Sequence, residues 1–221
     1  MKKKTGFTLA EILITLTVIG VVAALTIPTL LQKTNDVELK TALKKSYGDF
    51  QQAYIALAAD NSGIEQVFSG DGSASADANA MNAFLTKFKY IKNCGSGMGC
   101  LYTTPLKCFD GSVCTANPDS GFNNNYGKAI LNNGSLVIMN DFSETCLSDK
   151  GDGPLDSQVC GEFLIDVNGF KPPNARGKDY FSFWITKTGI YPKGSHNDGN
   201  PCGPGNDYLT SDGCAYKYLS E

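Results

Sequence analysis

An apolar run of 25 residues, Phe7 to Leu31, stands near the start of this chain and carries a single charge, Glu11. A hydrophobic stretch of that length is a candidate membrane-spanning helix. At about 1.5 Å per residue it reaches roughly 37 Å, enough to cross a ~30 Å hydrocarbon core with some tilt. Lys2, Lys3 and Lys4 precede the run. Cations on that side orient it with the N-terminus in the cytoplasm and everything after Leu31 outside. A carboxylate in such a segment costs about 2.5–3.5 kcal/mol at the helix centre and less near an end, which makes Glu11 a functional position by default.

Two simpler readings compete. An ordinary secretory signal would use Lys2 to Lys4 as its charged region, Phe7 to Val21 as its apolar region and Val22-Ala23-Ala24 as a small-residue cleavage site. Glu11 inside the apolar region argues against it, as does the run continuing to Leu31. A plain one-pass anchor has no use for Glu11 or for the Gly6-Phe7 junction. Glu11 also has a local reading, because Phe7 and Glu11 are i and i+4 on one helix face and the acid could pair with its own chain's amine.

Past the polar break Gln32-Lys33-Thr34-Asn35-Asp36 the helical pattern resumes. Leu39, Leu43, Tyr47, Phe50, Tyr54 and Leu57 make one stripe on a 3.6-residue helix, with Lys40, Lys44, Lys45 and Asp49 opposite. One helix is therefore expected from Phe7 to about Ala59, its second half stripe-down on a globular head. Gly20 and Pro28 weaken it where they fall, since proline removes a backbone hydrogen bond and kinks a helix. Residues 61–76 read as a loop and Asp77 to Lys92 as a second helix, with Met81, Phe84, Leu85 and Phe88 on one side. Residues 93–127 hold four cysteines and show no period.

Strands follow. Lys128 to Leu131 and Ser135 to Met139 flank Asn132-Asn133-Gly134, a hairpin with Asn-Gly in a type I′ turn. Glu162 to Val167 and Tyr180 to Thr186 add two more. The predicted fold class is α+β: a long helix packed on an antiparallel sheet of about four strands, one face covered by the helix stripe, with disulfide-rich loops. The expected organisation is a leader at 1–6, an apolar helix at 7–32, its amphipathic continuation at 33–60, a loop-helix-loop region at 61–127, and the sheet with a C-terminal disulfide loop at 128–221.

All eight cysteines fall on the side the topology places outside the cytoplasm, where disulfides persist. Spacing suggests Cys202 with Cys214 and Cys146 with Cys160. Cys94, Cys100, Cys108 and Cys114 would then pair among themselves. A zinc site from Cys94-x5-Cys100 and Cys108-x5-Cys114 is the competing reading, but structural zinc prefers cysteines two to four residues apart and thiolates that stay reduced.

Without residues 1–6 the chain has 16 Lys+Arg against 22 Asp+Glu, a net charge of −6. That balance does not favour nucleic acid as a partner, which calls for a basic stripe. Catalytic chemistry is not indicated either. The only histidine, His196, lies in a Gly/Asn/Asp-rich stretch, there is no Gly-x-Ser-x-Gly elbow, and Gly121 to Gly127-Lys128 has the wrong spacing and Ala129 where a phosphate loop needs Ser or Thr. No cofactor is expected, calcium being the one ligand weighed. Asp166-x-Asn168 begins like a calcium loop, and Asn174 and Asp179 offer further oxygens, but the glycine comes too early and no glutamate follows at the twelfth position. The alternative is a turn at Asn168-Gly169 that Asp166 and Asp179 cap or orient.

The lysine-rich leader, Gly6, Phe7-Thr-Leu, Glu11 and an apolar helix with Gly20 and Pro28 together resemble the prepilin signal of type IV pilins and type II secretion pseudopilins. The resemblance implies cleavage between Gly6 and Phe7 by a prepilin peptidase, N-methylation of Phe7, and a role for Glu11 in assembly opposite a neighbouring subunit's Phe7 amine. It also implies loosening of the helix between Gly20 and Pro28 on assembly. Its expected partners are the peptidase, other pilin or pseudopilin subunits, an inner-membrane assembly platform and the lipid bilayer. The expected place is the inner membrane, then a pilus or periplasmic pseudopilus. Asp166-Val-Asn168-Gly169, Pro173-Asn174, Gly177, Asp179 and Phe181 resemble a segment in the heads of many bacterial pilin-like proteins, and some pseudopilins bind calcium in that part of the head. The functional expectation is a structural, non-enzymatic filament subunit. The alternative is a membrane-tethered extracytoplasmic binding or adhesion protein that does not polymerise.

Overall fold

The structure is a computed structural model that describes residues 6, 8–68, 70, 73–122, 126–142, 145–203 and 212–221; Phe7 and the lysine leader lie outside them. The chain divides into two compact units, Met1–Glu38 and Leu39–Glu221. Helix α1, Leu9–Asp60, contributes to both and contains Pro28.

In the first unit α1 is the one described helix long and apolar enough to cross a membrane. Its apolar side chains, Leu13, Ile19, Val22 and Leu25 among them, are exposed. The threonines in this apolar stretch satisfy their hydroxyls inside the helix: Thr17 Oγ1 donates to Leu13 O at 2.7 Å and Thr26 Oγ1 to Val22 O at 2.9 Å. Such back-bonding removes the cost of a bare hydroxyl in hydrocarbon.

The second unit is the head. Its six-stranded antiparallel sheet has the order β1-β4-β5-β6-β7-β8. The strands are β1 Tyr90–Gly95, β4 Gly127–Leu131, β5 Leu136–Asp141, β6 Val159–Asp166, β7 Tyr180–Thr186 and β8 Ile190–Pro192; β2 Leu106–Lys107 and β3 Val113–Thr115 form a separate pair. The α+β plan of a long helix on an antiparallel sheet holds, with six strands in the main sheet where about four were expected. Two of the six are edge strands. β8 is three residues ending in Pro192, a length and a residue suited to an edge. β1 occupies the tail of the predicted second helix. Ser73 caps α2, Ala74–Leu85, by accepting from Ala76 N at 3.2 Å, so that helix starts within the expected loop and ends at Leu85. Tyr90 is then free to pair with Leu131 of β4.

The β4–β5 hairpin is also closed differently from the expected type I′ turn. Gly134 N donates to Leu131 O and Leu131 N to Ser135 O, both at 2.9 Å. Gly134 takes φ 88°, and neither Asn132 nor Asn133 has a positive φ. That is a three-residue loop, a type I turn closed by glycine in the left-handed region.

Alternation along β6 and β7 sends Phe163, Ile165, Phe181, Phe183 and Ile185 into a core with Leu43, Phe50, Tyr54 and Leu57 of α1 and Met81 and Phe84 of α2. The helix stripe covers this face as expected, and the opposite face is covered too. Leu164 and Tyr180 pack with Leu101, Tyr102, Leu106 and Phe122 from the region that lacked a period, and Trp184 packs with Leu155 and Val159. Both strands are thus buried along their whole length.

Four disulfides, Cys94–Cys100, Cys108–Cys114, Cys146–Cys160 and Cys202–Cys214, tie loops to this frame. They constrain the unfolded chain where regular structure is sparse.

Candidate functional site

Two places answer to the residues singled out in the sequence, one at the start of α1 and one in the β6–β7 connection.

At the first, Glu11 closes the helix N-terminus. Its Oε2 accepts from Thr8 N at 2.7 Å and from Thr8 Oγ1 at 2.8 Å, while Glu11 N donates to Thr8 Oγ1 at 3.3 Å. Ile12 N bonds Thr8 O at 3.2 Å, the first helical bond. Thr8 and Glu11 therefore form a reciprocal capping box, each side chain taking one of the helix's orphan N–H groups. The signature Thr8-x-x-Glu11 stands in the sequence, and the backbone partner it signals takes the place of the amine partner that the i, i+4 spacing suggested. Both contacts fall on Oε2. Gly6 is exposed, and Phe7, the expected cleavage and methylation residue, lies outside the described residues. α1 continues through Gly20 and Pro28, and a Cβ placed on Gly20 would meet nothing within 4 Å.

The second place is built by the chain leaving β6 and returning into β7. Asp166, the last residue of β6, is fully buried; its Oδ1 accepts from Gly169 N at 2.9 Å and Asn168 N at 3.2 Å. Gly169 takes φ 71°, and a Cβ there would strike the Gly134 carbonyl, so the turn needs glycine twice over. On the return, Asp179 accepts from Asn174 N at 2.7 Å and Ala175 N at 2.8 Å. Asn168 Nδ2 donates to Pro172 O at 3.1 Å. The two carboxylates thus orient the loop's backbone.

That role uses only part of the oxygens present. Asp166 Oδ2, Asn168 Oδ1 and Asn174 Oδ1 are buried without a hydrogen bond of normal geometry among the described residues, although the Tyr102 hydroxyl, likewise without one, comes close enough to Asp166 to favour its charged form. Buried polar atoms of this kind are rare and call for an explanation such as an ion. Electrostatics couple the two carboxylates. Burial pushes the Asp166 carboxyl well up from the usual range, and the neighbouring Asp179 charge pushes it further. Asp179 is itself pushed up by burial, against the lowering effect of its backbone donors and of the Asn168 side chain. Tyr102, raised by burial and by Asp166, Tyr180 and Asp179, walls the same space. Tyr102 lies 64 residues before Asp166, and no local signal in the sequence ties it to this loop.

Two close carboxylates in a dry site resist joint ionisation unless a cation sits between them. The donor set, two carboxylates and two amide oxygens, is hard and all-oxygen, which suits calcium and not zinc. Among the described residues no three His, Cys, Asp or Glu side chains gather as a metal set, so the amide oxygens are essential to any such site. The cysteine pairs that raised zinc as an alternative are disulfides.

Residues 1–27 match the family model described as the prokaryotic N-terminal methylation motif. No curated protein and no solved structure matches the chain. The chain thus carries a prokaryotic N-terminal methylation motif at residues 1–27 and, beyond it, an α+β head.

Proposed function

We propose that this protein is a structural, non-catalytic subunit of a type IV pilus-like or type II secretion filament, held in the inner membrane with its head outside until assembly. The observation that carries the reading is the methylation motif at residues 1–27, which runs straight into the exposed apolar part of α1. A prepilin peptidase cuts between Gly6 and Phe7 and methylates the new amine. The apolar helix then leaves the bilayer for a bundle of its own kind, where each buried side chain gains on the order of 1.5–3 kcal/mol relative to water. The Thr8 cap occupies Oε2 of Glu11, which leaves Oε1 for a neighbour's Phe7 amine. An acid left unpaired in that bundle is strongly unfavourable, so docking succeeds only in the register that supplies the amine.

N-terminal sequencing of the membrane-extracted protein is expected to begin at a methylated Phe7; a chain beginning at Met1 or at Leu25 rules the reading out. Glu11→Ala is expected to be processed normally yet to fall about tenfold or more in sheared high-molecular-weight material, the equivalent of about 1.4 kcal/mol or more per docking event. Wild-type incorporation by Glu11→Ala removes Glu11 from assembly. A head that stays with membranes after shearing favours the tethered binding protein instead.

For the head we propose calcium as a structural ligand of Asp166, Asn168, Asn174 and Asp179. The orphaned oxygens support this, and a bound cation would supply the charge that two buried carboxylates lack.

A further inference from the structure

A cavity lies in the head beside the β6–β7 connection, which contributes Arg176 to it. It measures about 560 Å³, within the usual range for small-molecule sites. Four charged residues form its floor: Glu162 from β6, Arg176, Lys193 and Asp212, each at most 9% exposed. Arg176 pairs with Asp212, and Lys193 pairs with Glu162 and reaches Asp212 Oδ2 at 3.4 Å. Ser182 Oγ donates to Asp212 Oδ1 at 3.2 Å. Burying such a quartet seldom stabilises a fold more than apolar residues of similar volume would. An apolar filling was open to this face, since Leu155, Val159 and Leu164 sit beside it.

The rim is preformed. Asp198 accepts from Trp184 Nε1 at 2.8 Å, from Gly194 N at 2.9 Å and from Asn200 N at 3.0 Å, which fixes the loop after β8 over the indole. That loop is stitched to the one before β6: Asp152 N donates to His196 O at 2.8 Å, and Asn197 Nδ2 to Asp152 Oδ2 at 2.6 Å. Gly151 is required at this seam, because at φ 150° a Cβ would run into the His196 carbonyl. Cys146–Cys160 also closes the loop before β6, and Cys202–Cys214 ties the chain just beyond Asn200 to the start of the C-terminal helix, Cys214–Ser220.

The lining also defines what fits. Four carboxylates stand against three cations, and the buried ones already neutralise one another, so an ion entering would lose its hydration for charges that are taken. Between them lie amide, carboxylate, ammonium and phenol groups that suit a ligand whose groups both donate and accept. The apolar wall is aromatic: Phe122, Tyr126 and Trp184.

We propose that this pocket binds a neutral, polyhydroxylated ligand, a terminal sugar of a glycan. It gives the head a recognition site whether or not the protein polymerises. Trp184 is the only tryptophan in the chain, so the pocket carries its own reporter. The full-length protein, in a detergent without a sugar head group, is titrated with glucose, galactose, mannose, N-acetylglucosamine, lactose and maltose while Trp184 emission is followed. A saturable change with at least one of them is expected. The rim variant Asp149→Ala with Asn197→Ala is expected to weaken that binding about tenfold and, by deleting the Asn197–Asp152 stitch, to melt somewhat earlier. Asp149→Ala alone, a change at an exposed position, is expected to weaken it severalfold and serves as the reference should the double variant melt early. Flat titrations with every sugar overturn the proposal. So does a response that Asp149→Ala leaves unchanged, or saturation by citrate or N-acetylneuraminate alone.

Discussion

Replacing Phe50 with alanine is expected to cost the head about 3–5 kcal/mol and to lower its thermal midpoint by roughly 6–20 °C. Phe50 is 2% exposed on the stripe of α1. Its ring stacks on Phe163 with centroids 4.2 Å apart and meets Phe88 at 4.7 Å. Phe163 stacks in turn on Phe183 at 4.7 Å, and Phe183 on Tyr47 at 5.5 Å. The rings form a column that joins α1 to strands β6 and β7, so truncating Phe50 opens a void among packed rings. The cost is transfer energy plus cavity energy rather than one contact. Two variants on the same helix calibrate the result. Ile55→Ala, at a position 64% exposed, is expected to change stability by no more than about 0.5 kcal/mol. Tyr47→Phe deletes the hydroxyl that donates to Ile190 O at 3.0 Å and is expected to cost about 1 kcal/mol. Thermal unfolding followed by Trp184 emission measures all three, and a Phe50→Ala midpoint equal to that of Ile55→Ala would contradict the column as the seam of the head.

The Leu39-to-Leu57 stripe was legible because a helix that buries one face must repeat every 3.6 residues, and the central strands because alternation and aromatic content coincide there. The cover on the second face was not legible, for a physical reason. Residues 99–122 are ordered by side chains reaching backbone: the Asp119 carboxylate takes Gly99 N at 2.8 Å and Leu101 N at 3.0 Å, and Asn117 caps the short helix α3, Pro118–Gly121. Such bonds leave no period. Residues of the β6–β7 loop were legible as a cluster because they lie within fourteen positions of one another. The charged pocket was invisible, since its floor draws on Glu162, Arg176, Lys193 and Asp212, each from a different segment with no shared motif.

Calcium is expected to raise the thermal midpoint of the head by roughly 5–10 °C at about a hundredfold excess over its dissociation constant, where ligand linkage contributes about 2.7 kcal/mol. The pH dependence distinguishes this from a general salt effect. Without metal, burial holds Asp166 and Asp179 above the ordinary carboxylate value of about 3.9, and the Asp179 charge raises Asp166 further. The folded head therefore binds more protons than the unfolded chain once the pH exceeds about 4, and stability falls as pH rises through the two raised values. A bound cation needs both carboxylates ionised, so protons compete with it. The increment from calcium is then expected to be larger near about pH 8 than near about pH 5, and the falling metal-free stability to flatten when calcium is present. Asp166→Asn separates the ligand role from the turn role. The amide oxygen can still accept from Asn168 N and Gly169 N, and no charge is buried, so the metal-free variant should melt no lower than wild type. It should also lose most of the calcium increment, because a neutral amide replaces one of two anionic ligands. Equal midpoints for the wild type in chelator and in millimolar calcium would leave Asp166 and Asp179 as turn-forming residues alone. Equal increments at both pH values would place any bound calcium elsewhere, since only ligands whose protons must leave couple metal binding to pH in this direction.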